Sequence, residues 1–420
     1  MNNSNLNFRT SKFILLFYAI GSVVIIPFIG QLTLSEIIVA ISIPFLNYFK
    51  LLKKFSLLKT LLTGFSILFL AQIISDIINQ SAIYDFSRGL ALIVFSIFST
   101  FFLVSKLSQN NSNVLYYVFL IFIIQLFFGY GGGGFENVEV GDNYFKFRFA
   151  PALGMLAMFL SCECYKRNKK MFASLILILN AIVCMIFAAR SYGLIFFIAG
   201  IMLYLKNKSI KIDFGKILFY FLLLTILLYI LYIFYANQVV YHGFGGLNSK
   251  NQFSMMKNIY NPFELLIYGR TDFFVTLQAI SDNPFWGYGS WAKDHGGHYT
   301  TMLNVLSSGL LDVDTGYIPI HSVFIGTWAT AGLLGFFATL YIFVSLFKKF
   351  LIIYRYNGFI ENLPLIIGLT VDMFWSYFFS PLSLLRNSFP LFAAVIIIEY
   401  NKIIKINNQI SNSKKTIKNI

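Results

Sequence analysis

The stretch Tyr268-Gly-Arg-Thr-Asp-Phe-Phe-Val-Thr-Leu-Gln-Ala-Ile-Ser-Asp-Asn-Pro-Phe-Trp-Gly-Tyr-Gly289 interrupts a chain that otherwise alternates long apolar runs with short charged links. Thr271 and Asp272 stand where a helix would be capped, just after Arg270, and Phe273, Leu277 and Ile280 repeat on one helical face. The spacing therefore predicts a short amphipathic helix. Pro284 stops it, and Gly287 and Gly289 turn the chain. Further on, Pro319-Ile-His-Ser322 enters an apolar helix that carries Ala331-Gly-Leu-Leu-Gly335. An arginine and a histidine thus bracket a segment too polar to cross a bilayer and too patterned to be a tether.

Outside this segment the chain reads as membrane. Of 420 residues, 58% are hydrophobic, 19% aromatic and only 12% charged, whereas soluble domains carry about 25% charged residues. The expected class is an all-α, polytopic helical bundle. Apolar runs near the ~20 residues needed to span a ~30 Å core are centred near residues 21, 42, 68, 97, 121, 157, 180, 198, 225, 333, 371 and 393, about twelve spans. Residues 1–235 then hold spans one to nine, 236–317 a large external loop, 318–402 spans ten to twelve, and 403–420 a cytoplasmic tail. The Asn- and Lys-rich composition after Asn401 suggests a disordered end. The run from Phe13 to Ile29 lacks a small-residue cleavage site and reads as a retained span. Cys162, Cys164 and Cys184 fall within or at the inner end of apolar runs, which implies neither disulfides nor a thiolate metal site.

The net charge of +15 would suit nucleic acid, but its distribution fits membrane orientation better. With the N-terminus cytoplasmic, 23 of the 32 Lys and Arg residues fall on inner segments and 9 on outer ones. That asymmetry predicts an even number of spans, both ends inside and residues 236–317 outside.

At the quoted motifs the chain resembles the O-antigen polymerase and O-antigen ligase family of bacterial envelope glycosyltransferases. The shared features are Arg270 before an amphipathic helix, Pro284 with Gly287 and Gly289, His321 at a helix start, and Gly332 to Gly335. The match covers roughly the last third of the chain. Upstream, Arg190-Ser191 is similar to the family's other arginine turn. Two positions depart from the pattern: Ser322 stands where the family commonly has Asn, and Thr330-Ala331 where it has an acid. The resemblance implies an inner-membrane enzyme working at the periplasmic face without metal or other cofactor. Its substrate would be an undecaprenyl-diphosphate-linked oligosaccharide, with a chain-length regulator protein as a partner and no nucleic acid. Polymerase is favoured over ligase because similarity is low outside the motifs.

The cations sort by type as well as by side. Arg88, Arg148, Arg190, Arg270 and Arg386 make up five of the nine outer cations, against three arginines among the 23 inner ones. A guanidinium forks onto phosphate oxygens and keeps its charge in poorly hydrated sites, which suits an outward-facing diphosphate site. The plainer alternative is that some of them snorkel at the interface or pair with Asp85, Asp142 or Asp272. By resemblance Arg190, Arg270 and His321 are the catalytic candidates. Arg88, Arg148, Arg386, Asp272 and Asp372 are candidates for substrate binding. An imidazole beside guanidinium groups stays neutral and can accept the acceptor's proton, although a histidine at a helix start also sits naturally at a membrane surface. Asp372 lies inside an apolar run, costly unless paired or wetted, and is expected either to pair with an arginine such as Arg386 or to orient the acceptor. Asp294-His295-Gly-Gly-His298 lacks the helical spacing of a two-histidine zinc site and reads as a polar loop. Gly131 to Gly134 has no Gly-Lys-Ser/Thr after it and reads as a flexible outer loop. Trp286, Tyr288 and Trp291 suit either sugar stacking or the interfacial belt. A non-enzymatic rival, a lipid-linked oligosaccharide flippase, would be expected to show internal repeats, and none is visible.

Overall fold

The computed structural model describes residues 3–27, 31–110, 112–129, 145–187, 189–208, 214–244, 246–306, 316–382 and 384–418. The glycine run at 131–134 and Asp142 lie outside them. The described chain is helical apart from one small hairpin. Helix α1 (Asn3–Gly21) leads into strands β1 (Ile25–Pro27) and β2 (Gln31–Thr33), which pair antiparallel. Then follow α2 (Leu34–Ser42), α3 (Tyr48–Lys54), α4 (Ser56–Ile78), α5 (Ile83–Leu107), α6 (Ser112–Phe128), α7 (Ala150–Lys166), α8 (Lys170–Ile186), α9 (Arg190–Lys208) and α10 (Phe214–His242). A π-helical turn, Phe145–Phe149, precedes α7. Four short helices cross the predicted external segment: α11 (Gly246–Ser254), α12 (Pro262–Tyr268), α13 (Thr271–Asp282) and α14 (His298–Leu306). The chain closes with α15 (Val323–Arg355), α16 (Leu363–Phe379), α17 (Leu384–Asn387) and α18 (Phe389–Lys418).

Each of the twelve predicted span centres falls in a helix. Among the described residues, four helical segments can cross a membrane by length and composition: Ser56–Ile78, Ile83–Leu107, Phe145–Lys166 and Val323–Arg355. A fifth crossing is possible if α2 with its 3-10 extension and α3, bent by 92°, count as one. The apolar run centred near residue 42 is therefore a bent pair of helices and not one continuous helix. Pro44 breaks the helix, and the Asn47 side chain restarts it by accepting from the Lys50 amide at 2.9 Å. Four further apolar helices run 10–17 residues: Thr10–Gly21, Ser112–Phe128, Lys170–Ile186 and Leu363–Phe379. Helix α10 carries on to His242, past residue 236 where the sequence reading begins the external loop. The tail is helix to Lys418 rather than disordered, because Ile403, Ile406 and Ile410 keep a helical apolar repeat beyond the last span.

Large apolar side chains lie on the surface as well as in the core. On α8, Phe172, Leu175, Leu179, Ile182 and Ile186 repeat at three- and four-residue spacing and are all exposed, while Ala173, Ser174, Leu177, Ala181 and Cys184 face the bundle. A continuous apolar stripe of this kind belongs in lipid. Inside, α4 packs along α15, where Gly64 lets Ile342 approach its backbone. Close backbone contact is what holds helices together where lipid removes the hydrophobic drive.

Contacts between helix ends fall into two sets. At the lysine-rich end, Lys206 Nζ donates to the Tyr356 carbonyl at 3.0 Å and Lys166 pairs with Glu361 at 2.9 Å. Asn207 there reaches the Lys170 carbonyl at 3.0 Å. At the arginine-bearing end, Arg386 pairs with Glu36, Arg190 meets Ser249 and Arg270 meets Phe379. The membrane-embedded helical architecture therefore has two chemically distinct ends.

Candidate functional site

The segment between α10 and α15 is pinned to the bundle by the two glycine motifs. Helix α15 is broken at Gly332, whose φ of 67° and ψ of −168° lie outside the helix, and the turn Phe285–Gly289 fills the gap. The Tyr288 amide donates to the Ala329 carbonyl (2.8 Å), the Gly289 amide to Thr330 (3.0 Å), and the Leu333 amide to Phe285 (3.2 Å). Backbone groups freed by the break are thus satisfied by the loop, as a low-dielectric setting requires. A Cβ on Gly332 would run into the Phe285 carbonyl, and one on Gly287 would lie 2.7 Å from the Gly332 nitrogen. Helix α4 completes the clamp. Asp76, 2% exposed, accepts from the Ser290 amide (2.5 Å) and hydroxyl (2.7 Å). Ser75 donates to the Thr330 carbonyl at 2.6 Å. Asp76 was not singled out in the sequence, although an acid at the end of an apolar run is the signal that Asp372 also carries.

From this anchor the chain delivers Arg270 and His321 to one place. Thr276 on α13 donates to the Pro319 carbonyl at 2.6 Å, which ties the segment before His321 to the helix that Arg270 opens. Arg270, rather than Thr271 or Asp272, is the N-cap residue. Its guanidinium donates to the Phe379 carbonyl (3.3 Å) and lies 5.1 Å from the Phe379 ring centre, at the C-terminal end of α16. Ser322 donates to the Tyr377 carbonyl on the same helix (3.2 Å) and accepts from the Ile325 amide (3.3 Å), so it caps α15. That gives the Ser322 departure a purpose. His321, one residue earlier, is exposed.

What His321 faces is a cavity of about 470 Å³. Arg270, His321 and Asp372 line it together, with Lys146, Ser191 and Ser388 as further polar groups. Phe147, Met155, Ile195, Phe196, Trp375 and Phe379 form much of the apolar wall. Asp372 lies on α16 about two turns before Phe379, so one helix carries both the acid and the carbonyl that holds Arg270. A smaller cavity of about 10 Å³ adjoins, lined by Arg270, Asp272, His321 and Ser322. Burial pushes the Arg270 pKa down and Asp272 pushes it back up; a guanidinium stays charged at neutral pH regardless.

The remaining candidates stand elsewhere. Arg190 lies beside the cavity, since Ser191 lines it, but its guanidinium donates to Ser249 (3.1 Å) and sits 5.3 Å from the Tyr235 ring centre. Of the two readings of Asp372, a pair with Arg386 is not formed among the described residues. Arg386 forks onto buried Glu36, the acid that also closes the capping box of α2 with Thr33. Asp372 and Arg386 nevertheless share a second polar cavity of about 80 Å³, which adjoins the main one through Gln125, Met155, Asp372 and Ser388. Arg148 donates to the Leu126 and Phe127 carbonyls and so finishes α6. Arg88 lies 3.8 Å from Asp85 and 3.8 Å from the Trp291 ring centre. For Arg88 the plain pairing with Asp85 accounts for its position. Asp294 accepts from the Thr300 amide (2.8 Å) and hydroxyl (3.0 Å), which gives this member of the Asp294–His298 cluster a structural task. Among the described residues no group of three His, Cys, Asp or Glu is placed to hold a metal ion. Compared with models of protein families and with curated proteins, the chain matches none.

Proposed function

We propose that this chain is a glycosyltransferase of the bacterial inner membrane that polymerises O-antigen or a similar surface polysaccharide, transferring a polyprenyl-diphosphate-linked glycan onto a new lipid-linked repeat unit. The observation that carries the reading is the single cavity that collects Arg270, His321 and Asp372 from segments far apart in the chain. In this reading about twelve helical passes cross the bilayer, both ends are cytoplasmic and the cavity opens towards the periplasm. An acceptor hydroxyl attacks the anomeric carbon of the donor sugar, and the bond from that carbon to the diphosphate oxygen breaks. His321 takes the hydroxyl proton, Arg270 and Arg190 stabilise the departing diphosphate, and Asp372 orients the acceptor. The apolar wall suits the first part of a lipid tail, and the guanidinium groups take the role a metal would have.

The nearest alternative, ligation of the finished chain to lipid A core, uses the same motifs. Deleting the gene and resolving the lipopolysaccharide on a gel separates the two. Polymerase loss leaves core carrying a single repeat unit, and His321→Ala should reproduce that band pattern at normal protein level. Bare core with long polymer stranded on the lipid carrier would assign the chain as ligase, and bare core without such polymer would point to a flippase.

A further inference from the structure

We infer that Lys146 is a third cationic ligand of the cavity, holding the phosphate-bearing head group of a lipid together with Arg270 and Arg190. The inference rests on the donor site proposed above and adds to it a residue that neither the motifs nor the resemblance singled out. Lys146 belongs to the π-helical turn Phe145–Phe149, and its side chain lines the cavity with Arg270 and His321. Turns of this kind recur at functional sites because they aim a side chain out of helical register. The charges of Arg190 and Arg270 both act on Lys146, so three cations lie within electrostatic reach of one another.

Several other described cations have carboxylates of their own, while Arg148 and Lys206 are held by backbone carbonyls. Arg386 pairs with Glu36, Arg88 and Lys293 with Asp85, and Lys166 with Glu361 and Glu163. Lys146, Arg190 and Arg270 form no ion pair with a carboxylate among the described residues; their neighbours are the Phe147 ring, Ser249 and the Phe379 carbonyl. Among the described residues Asp372 is the one carboxylate lining this cavity, and Asp272 acts on Arg270 from the adjoining one. Like charges gathered against an apolar wall repel and are poorly hydrated, and an anionic ligand relieves both penalties. The apolar wall beside them selects an anion attached to a hydrocarbon chain. Two kinds of lipid share that chemistry, a polyprenyl diphosphate and an ordinary anionic phospholipid, and the charge count favours the diphosphate.

Lysine and arginine differ in how they would serve. An ammonium on a flexible stem acts as a point charge, whereas the guanidinium of Arg270 is fixed by Phe379 and acts through geometry. Lys146→Arg should therefore keep binding near that of the unmodified chain, Lys146→Gln should weaken it about tenfold, and Arg270→Lys should weaken it although charge is kept.

The test is affinity, measured on the purified full chain in lipid nanodiscs, for a short-chain polyprenyl diphosphate, the matching monophosphate and phosphatidylglycerol, each at low and high salt. The expected result is preference for the diphosphate, with a smaller salt dependence in Lys146→Gln than in the unmodified chain. A second readout needs no variant: saturating diphosphate should shield Lys146 from an amine-acylating reagent, followed by mass spectrometry of its peptide. If the unmodified chain prefers the diphosphate but neither Lys146→Gln nor acylation responds, Lys146 is excluded and the donor site stands. If the chain shows no preference for the diphosphate over phosphatidylglycerol, the inference and the donor site fall together.

Discussion

Asp76 shows how one side chain can decide whether a loop becomes part of a site. It is buried, and it accepts from the Ser290 amide on Oδ1 and from the Ser290 hydroxyl on Oδ2, where Gln72 also donates at 3.2 Å. Removing the acceptor strands a buried amide, which costs on the order of 1–3 kcal/mol. Asp76→Ala should therefore loosen the external segment more than it loosens the bundle. Limited proteolysis should show faster cutting between residues 243 and 320, with Asp76→Asn, which keeps one acceptor oxygen, cut at an intermediate rate. Equal cutting in all three proteins would mean that the glycine motifs alone hold the loop. The partly buried pair Arg386–Glu36 shows another case. The sequence singled out Arg386 but not its partner, because 350 residues separate them.

At the scale of the element, α15 and α16 do most of the positioning. Helix α15 tolerates a break at Gly332 only because the Phe285–Gly289 turn supplies partners for its freed backbone groups. Gly332→Ala would force a side chain both into the left-handed region and against the Phe285 carbonyl. The expected outcome is loss of activity with a lowered unfolding temperature in detergent, while alanine at exposed Leu334 leaves both close to normal. A fully active Gly332→Ala protein would remove the docked turn from the account of the site. Helix α16 supplies Asp372 on its flank and the Tyr377 and Phe379 carbonyls at its end, where the partial negative charge of a helix terminus favours Arg270.

At the scale of the whole molecule, the two ends of the bundle differ in chemistry, with lysine-rich links on one and the arginine-bearing cavity on the other. In the proposed reading, the count of 23 inner to 9 outer cations puts the cavity on the outer side. Cysteines introduced at exposed Lys250 and Asn357 test this directly in cells. The first should react with an impermeant thiol reagent from the periplasmic side, and the second only after the inner membrane is opened. The reverse pattern would turn the site towards the cytoplasm and end its assignment to surface polysaccharide.

Hydropathy alone determined that the chain is helical and membrane-embedded, since apolar runs long enough to cross leave the backbone no other way to satisfy its polar groups. Turn chemistry was equally legible: Pro284, Gly287 and Gly289 act locally, and local rules predict them. The break at residues 43–47 was missed because an apolar run shows no sign of its bend beyond Pro44 and Asn47. Which charges meet was decided only by tertiary packing. Arg270, His321, Asp372 and Lys146 share a cavity because α13 and α16 bring them together, while Arg88, Arg148 and Arg386 found partners nearer to hand. A sequence states how many arginines an outer surface carries, but a cation's role depends on whether an acid or carbonyl stands within about 4 Å, and that distance exists only in the fold.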